Sequence, residues 1–403
     1  MVVLERDQFP RFHIGESLLA SVNDALAAIG AGDVVRQAGF PQKWGATFLT
    51  GDGAIERYAD FGLAPSVTVP QTWQVERSVF DDLLLRHAAS SGAEVRQRTQ
   101  ALDVSFDANG VTVSVRDASG AQSSIRAACV IDASGRSTLL SRKFNLRVAE
   151  PQLVNVAVFS HYTGVPRREG RRRGDIRIIA RPDLGWFWTI PISSELTSVG
   201  VVLPQTAMKA LRADLNPTEL LDWTIAETPA VAGLMKNATR KWPVRVERDF
   251  SFGSRAYAGD RWLLAGDAGS FLDPVFSTGV AIALESGVEA AQAAEAALKS
   301  GDLSARRFAS YQRRQRQRFL SFRRFVLGFY TPEFRDLFFA KEPPQHMFRA
   351  LITMFAGYWR PPLQVRLWVN AFFFLVRLQK WVQFAPRVLP VPADARQTST
   401  SAG

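Results

Sequence analysis

The sequence predicts a mixed α/β fold in which strand–turn–helix units flank an inserted β-sheet and a helical region follows. Three observations carry this. The apolar run Trp262-Leu263-Leu264-Ala265 ends in Gly266-Asp267 and a turn of small residues, and then gives way to Val280–Gly287, so a buried strand delivers its turn onto a helix N-terminus. The alternation Val111-Thr112-Val113-Ser114-Val115 marks a half-exposed meander. Beyond about residue 301 strand patterns yield to helical ones.

In chain order, Val2-Val3-Leu4-Glu5 reads as the end of a strand closed by an acid, and a helix is expected from Arg77 through Ala89. Strands are expected at Ala93–Thr99, Ala101–Phe106, Val111–Asp117 and Ser123–Ile131. A further sheet spans about Leu153 to Val246, with strands at Asn155–Phe159 and Ser198–Leu203. Helices continue to about Gln383, and Ala385–Gly403, rich in Pro, Ser, Thr and Ala, is expected to be disordered. The expected units are 1–150, 151–250, 251–300, 301–384 and the tail 385–403.

Composition narrows the class. The 403 residues suffice for a large core, and one cysteine, Cys129, excludes a disulfide framework. Cys129 lies in the apolar run Ala127–Ile131 and reads as core rather than nucleophile; no metal cluster or secretory signal is evident, so a cytoplasmic location is expected. The net charge of +11 is concentrated in Arg167–Arg173 and in Arg306–Arg324, the latter interleaved with Phe308, Tyr311, Phe319, Phe322 and Phe325. That stretch is expected to pack its aromatics on the body and leave its arginines in water, with peripheral membrane contact as the second reading. The run Leu367–Val376 is too short to span a bilayer, and either covers a substrate tunnel or touches lipid. No nucleic-acid-binding motif accompanies the charge.

The turn after Ala265 aims backbone N–H groups and a positive helix end at whatever occupies it, which suits an anion, while Asp267 suits a sugar-type hydroxyl or simply caps the turn. Phe271, Pro274, Ser277 and Gly279 stand there in the spacing FxxPxxSxG, and Trp186-Phe187-Trp188-Thr189-Ile190-Pro191 gives WxWxIP. Both blocks resemble those of FAD-dependent halogenases and related FAD monooxygenases. Gly15-Glu16-Ser17, Gln74–Asp81 and Val130–Ser137 are similar, in the same order, to the flavin-contacting GES turn, the QVxRxxFD helix start and the strand that closes the FAD domain of that superfamily.

The resemblance implies a Rossmann-like FAD-binding domain carrying a mixed or antiparallel substrate sheet. Its cofactor residues would be Glu5 on the adenosine ribose, Ser17, Arg77, Asp267, Pro274 and Gly279. The G-x-G-x-x-G turn belongs about 20 residues ahead of the acid on the second strand. Glu5 is almost the first residue here, so the first βαβ unit is incomplete. The expectation is a truncated chain, with a remnant of weak FAD binding as the alternative, and a gap between the strands that flank the absent one.

For chemistry the resemblance singles out Lys43, after the GES turn, as the lysine of halogenases; a solvated loop lysine is the plain alternative. In that family reduced FAD, supplied by a partner flavin reductase, and oxygen turn halide into hypohalous acid, which travels down a tunnel to the lysine. Thr278 and Gly279 would hold the halide, and Trp186, Trp188 and Phe276 would line the tunnel, the tryptophans sharing one face of a strand. Halogenases of free tryptophan carry a glutamate where this chain has Phe276. The expected substrate is therefore a phenol, a pyrrole or a carrier-protein-tethered aromatic. A monooxygenase or geranylgeranyl-reductase-like flavoenzyme needs neither Lys43 nor halide, and a non-catalytic remnant is the third class.

Overall fold

The computed structural model describes residues 1–212, 215–248 and 251–389. Its largest layer is an eight-stranded mixed sheet. In spatial order the strands are Thr239–Arg240, Asn155–Thr163, Thr197–Pro204, Trp186–Pro191, Ile176–Ala180, Gly45–Thr50 and Glu56–Asp60, with Arg245–Arg248 also paired to Asn155–Thr163. All neighbours are antiparallel except Ile176–Ala180 and Gly45–Thr50, which run parallel.

The sheet thus recruits residues 45–60, which the sequence had placed with the N-terminal unit. Gly45–Thr50 is buried along nearly its whole length, so it lacks the alternation that betrays a half-exposed strand, and it covers what would otherwise be an open edge. Glycine is required at its start, because a Cβ on Gly45 would lie 2.4 Å from the Ala59 carbonyl oxygen.

Gly200 is a second obligatory close approach. A Cβ there would stand 2.4 Å from both Phe159 Cβ and Trp188 Cζ2, whose rings meet at a 45° tilt with centres 5.7 Å apart. Gly200→Ala is expected to lower stability by about 2 kcal/mol or more, as overpacking does, and thermal unfolding measures it.

The strand at 2–4 pairs in parallel with Glu94–Arg96, and Val130–Asp132 pairs in parallel with Trp262–Leu264. Among the described residues no strand joins these two parallel pairs. Leu4 and Val130 nonetheless pack on one apolar cluster, and Arg6 Nη1 reaches Ser137 Oγ at 2.7 Å. The expected strand 123–131 is in fact two, Gln122–Ala127 in the meander and Val130–Asp132 in the parallel pair. The break falls at Ala128-Cys129, where the chain leaves one sheet for another, and Cys129 is half-buried against Ala293 and Leu263.

Helix Thr278–Ser300 follows the Gly-Asp turn, and Ala309–Phe329, Pro332–Phe338, Gln345–Phe355 and Leu363–Trp381 complete the C-terminal region. The arginine-rich helix departs from its expectation at Arg318. That side chain is 1% exposed and is held by Glu289 and Gln315, while Phe319, Phe322 and Phe325 enter the core as expected. The chain after Ala385 is also partly ordered. Gln379 bonds both the N–H and the carbonyl of Ala385, Asp336 accepts from the Val388 N–H, and Leu389 is buried. The remainder of that tail lies outside the described residues. No described helix is long and apolar enough to cross a membrane.

Candidate active site

The short strand Thr72–Trp73 builds the site by pairing on both of its edges. On one edge it meets Gln42–Lys43 in antiparallel register; on the other, the Leu18 N–H donates to the Trp73 carbonyl and Ser17 bridges Gln74. Lys43 is thereby brought against the GES turn. Its Nζ donates to Ser17 Oγ at 2.9 Å and to the Leu18 carbonyl at 2.8 Å, and lies 5.3 Å from the Phe61 ring centre.

Lys43 is 1% exposed, so it is not a solvated loop lysine. Burial lowers its pKa to about 7, against a smaller upward pull from the Asp175 carboxylate. Asp175 also fixes the segment that follows, accepting from the N–H groups of Trp44 and Gly45 and from the Tyr58 hydroxyl at 2.7, 3.1 and 2.9 Å.

Lys43 faces a small crevice lined mainly by apolar side chains, among them Phe48, Phe61, Ile178, Phe276 and Phe355, together with Ser277. Phe276 stacks on Phe355 at 4.9 Å and meets Phe329 edge-on. Ser277 takes the left-handed conformation at φ 56°, which turns the chain abruptly into the helix that begins at Thr278. The N–H groups of Thr278 and Gly279 belong to the first turn, where the helix provides no acceptor.

Asp273 anchors this turn. One carboxylate oxygen accepts from the Val275 N–H at 3.1 Å; the other accepts from Asn155 Nδ2 at 2.9 Å and from the Tyr330 hydroxyl at 2.7 Å, and Tyr330 in turn accepts from Trp186 Nε1 at 2.7 Å. Burial pushes the Asp273 pKa up to about 6, opposed by these hydrogen bonds. The network ties the WxWxIP strand to the FxxPxxSxG turn, and sequence reasoning missed Asn155, Asp273 and Tyr330 as its members.

Trp186 and Trp188 lie 5.8 Å apart on one strand, as their spacing predicted, but neither lines the Lys43 cavity. Trp188 sits cross-strand from Ile178 of that cavity and 5.7 Å from Phe159 of a second crevice, whose other walls include Phe12, His161, Trp242 and Arg245. It stands between the two. Successive residues of the GES turn divide in the same way, with Ser17 facing Lys43 and Glu16 bonded to His161 Nε2 at 2.8 Å. The second Glu16 oxygen is buried without a partner.

The Gly-Asp turn sits at the C-terminal ends of the parallel pair, where ligands bind in open α/β sheets. Asp132 joins the two strand ends: its backbone carbonyl accepts from Ala265 N–H, and its carboxylate from Ser134 and Leu140 N–H groups. The Asp267 carboxyl makes no hydrogen bond among the described residues, and burial raises its pKa to about 7 against the pull of Arg77 and Arg136. Arg77 clamps the loop before the GES turn, bonding the Ile14 and Gly15 carbonyls and pairing with Asp81. Gly15 takes φ +100° there, and a Cβ would meet Arg77 Nη1 at 2.9 Å. Pro274 opens the short turn that Asp273 caps. Glu5, at the end of its strand, accepts from the Asp7 N–H.

Residues 63–341 match the family model described as "Tryptophan halogenase". The chain is 33% identical over 305 residues to the 1H-pyrrole-2-carbonyl-[peptidyl-carrier protein] brominase of Pseudoalteromonas luteoviolacea, covering 75% of this chain and 73% of that protein. It is 31% identical over 364 residues to the 1H-pyrrole-2-carbonyl-[peptidyl-carrier protein] chlorinase of Pseudomonas fluorescens, covering 85% and 80%.

Among solved structures, a flavoprotein/dehydrogenase of Cytophaga hutchinsonii superposes with TM-score 0.85 at 29% identity, over 94% of this chain and 92% of its own. The flavin-dependent brominase Bmp2 gives 0.77 at 29%, over 94% and 93%. The chain belongs to the tryptophan halogenase family of FAD-dependent enzymes, which use halide on aromatic substrates.

Proposed function

We propose that this chain halogenates an electron-rich aromatic acyl group of the pyrrole type, presented on a carrier protein, with Lys43 as the group that delivers the halogen. The observation that carries this reading is the fully buried Lys43 amine in the cavity it shares with Phe276 and Ser277. FAD, reduced by a partner flavin reductase, supplies with oxygen the oxidising power that turns halide into hypohalous acid. Asp267 fits a ribityl hydroxyl, since its carboxyl has no protein partner; Glu5 fits the adenosine ribose, Ser17, Pro274 and Gly279 the flavin edge, and Arg77 supports the loop against it. The first-turn N–H groups of Thr278 and Gly279 suit a halide.

A lysine whose pKa is near 7 both gives and regains a proton readily. As the ammonium, Lys43 donates to the oxygen of the hypohalous acid. The aromatic carbon bonds the halogen, the oxygen–halogen bond breaks, and the oxygen leaves as water. The neutral amine left behind then takes the proton that the ring sheds. Phe276 and its aromatic neighbours keep water from the electrophile and offer an indole N–H no carboxylate, which favours a pyrrole or phenol over free tryptophan.

The test compares pyrrole-2-carbonyl thioester on a holo carrier protein with free pyrrole-2-carboxylate, scored by product mass. Halogenation of the tethered substrate alone is the expected result, and equal turnover of the free acid would remove the carrier from the account.

The low pKa also has a stability signature. Between about 7 in the folded chain and the ordinary 10.5, the unfolded chain holds a proton that the folded chain lacks, so stability rises with pH across that window. Lys43→Met abolishes this slope. The melting temperature of the variant relative to wild type is expected to fall steadily from pH 7 to pH 10, and a constant offset would show that Lys43 is ordinarily basic.

A further inference from the structure

We propose that helix Leu363–Trp381 docks the protein on an anionic lipid surface. The helix buries one face through Val365, Val369, Phe372 and Phe373, which meet Phe325 and Phe334 with ring centres 5.0 and 5.1 Å apart. Its opposite face is exposed and apolar: Leu363 is 63% exposed, Leu367 60%, Phe374 64% and Trp381 83%. At 100° per residue these four side chains and Leu378 fall within about 60° of arc, a single row about 27 Å long. Val382 and Phe384, just past the helix, are also exposed.

The charge pattern identifies the occupant. Arg366, Arg377 and Lys380 lie along one flank of the row, and none makes an ion pair among the described residues. Arg324 bonds Asn370, and Arg360 bonds Gln317, so the exposed cationic side of Ala309–Phe329 continues that flank. From Pro343 to Leu389 the sequence holds six Lys and Arg and no Asp or Glu. A second copy of this helix would set like charges against each other with no acid to pair them. A protein partner with a pocket would be met by a few clustered anchors, whereas here Leu, Phe and Trp project one by one along a convex helix. A row of this kind with a Trp at its end and cations beside it is the arrangement of a helix lying in a membrane interface, cations on headgroups and apolar side chains among acyl chains.

The test is co-sedimentation of the full chain with phosphatidylcholine vesicles, with and without phosphatidylglycerol, at low and high salt. Binding is expected only to the anionic vesicles and is expected to fall with salt. Replacing Arg366, Arg377 and Lys380 together by Gln is expected to weaken partitioning by roughly 100-fold, at about fivefold for each cation. Leu367→Ser with Phe374→Ser is expected to abolish it while the thermal unfolding midpoint stays near that of wild type. The proposal is overturned if the anionic vesicles are not bound, or if binding ignores both sets of substitutions. It is equally overturned if the serine variant merely dissolves a dimer, or loses affinity for a holo carrier protein, while no vesicle binding is found.

Discussion

Lys43→Met is expected to reduce halogenation by a factor of about 10² to 10⁴, the range contributed by a positioned proton donor and acceptor, while flavin binding and oxygen-dependent oxidation of reduced FAD continue. The split arises because Lys43 faces the small aromatic cavity, while the Gly-Asp turn belongs to the parallel strands. Lys43→Arg is not expected to rescue. A guanidinium keeps the charge but does not release its proton near neutral pH, and its fork does not fit the paired acceptors Ser17 Oγ and Leu18 carbonyl. Product mass and flavin absorbance, followed in one reaction, measure both quantities. Equal loss of flavin oxidation and halogenation would place Lys43 in the fold rather than in the chemistry.

Asp273→Ala is expected to be the most destabilising single change in the site, at about 3–5 kcal/mol, the cost of breaking a buried charged network from one side. It strips the acceptor from Asn155 Nδ2, the Tyr330 hydroxyl and the Val275 N–H at once, all of them inside the protein. The turn that sets Phe276, Ser277 and the helix start would lose its anchor, so halogenation should fall together with the melting temperature. Tyr330→Phe removes one hydrogen bond to the carboxylate and one acceptor for Trp186, and is expected to cost about 1–3 kcal/mol. If Asp273→Ala melts like wild type, the network is incidental to the turn.

The readings that rest on local pattern were legible in the sequence. The Gly-Asp turn between strand and helix, the paired tryptophans on one strand face and the meander all follow from short-range periodicity. The resemblance in motif spacing picked out Lys43, and its burial could not be read because it depends on Thr72–Trp73 pairing with the chain on either side. Long-range polar contacts left little trace. His161 meets Glu16 across 145 residues and Tyr330 meets Asp273 across 57. A lone histidine in the apolar strand Asn155–Thr163 was a signal for the first; Tyr330, at the end of a phenylalanine-rich helix, offered none. Gly45–Thr50 escaped assignment to the sheet because a strand buried on both faces shows no alternation. Ala385–Leu389 read as tail because its composition is that of a linker, yet Gln379 and Asp336 hold its backbone.

The proposed function requires FAD chemistry to place a halogen, not an oxygen, on an aromatic ring. The most direct measurement is the product mass from an aromatic thioester, reduced FAD and oxygen, with bromide, with chloride and with no added halide. The expected product has halogen in place of hydrogen, tracks the halide supplied and is absent without it. A product carrying one added oxygen whatever the halide, or complete oxidation of the flavin with the substrate untouched in every case, would contradict it.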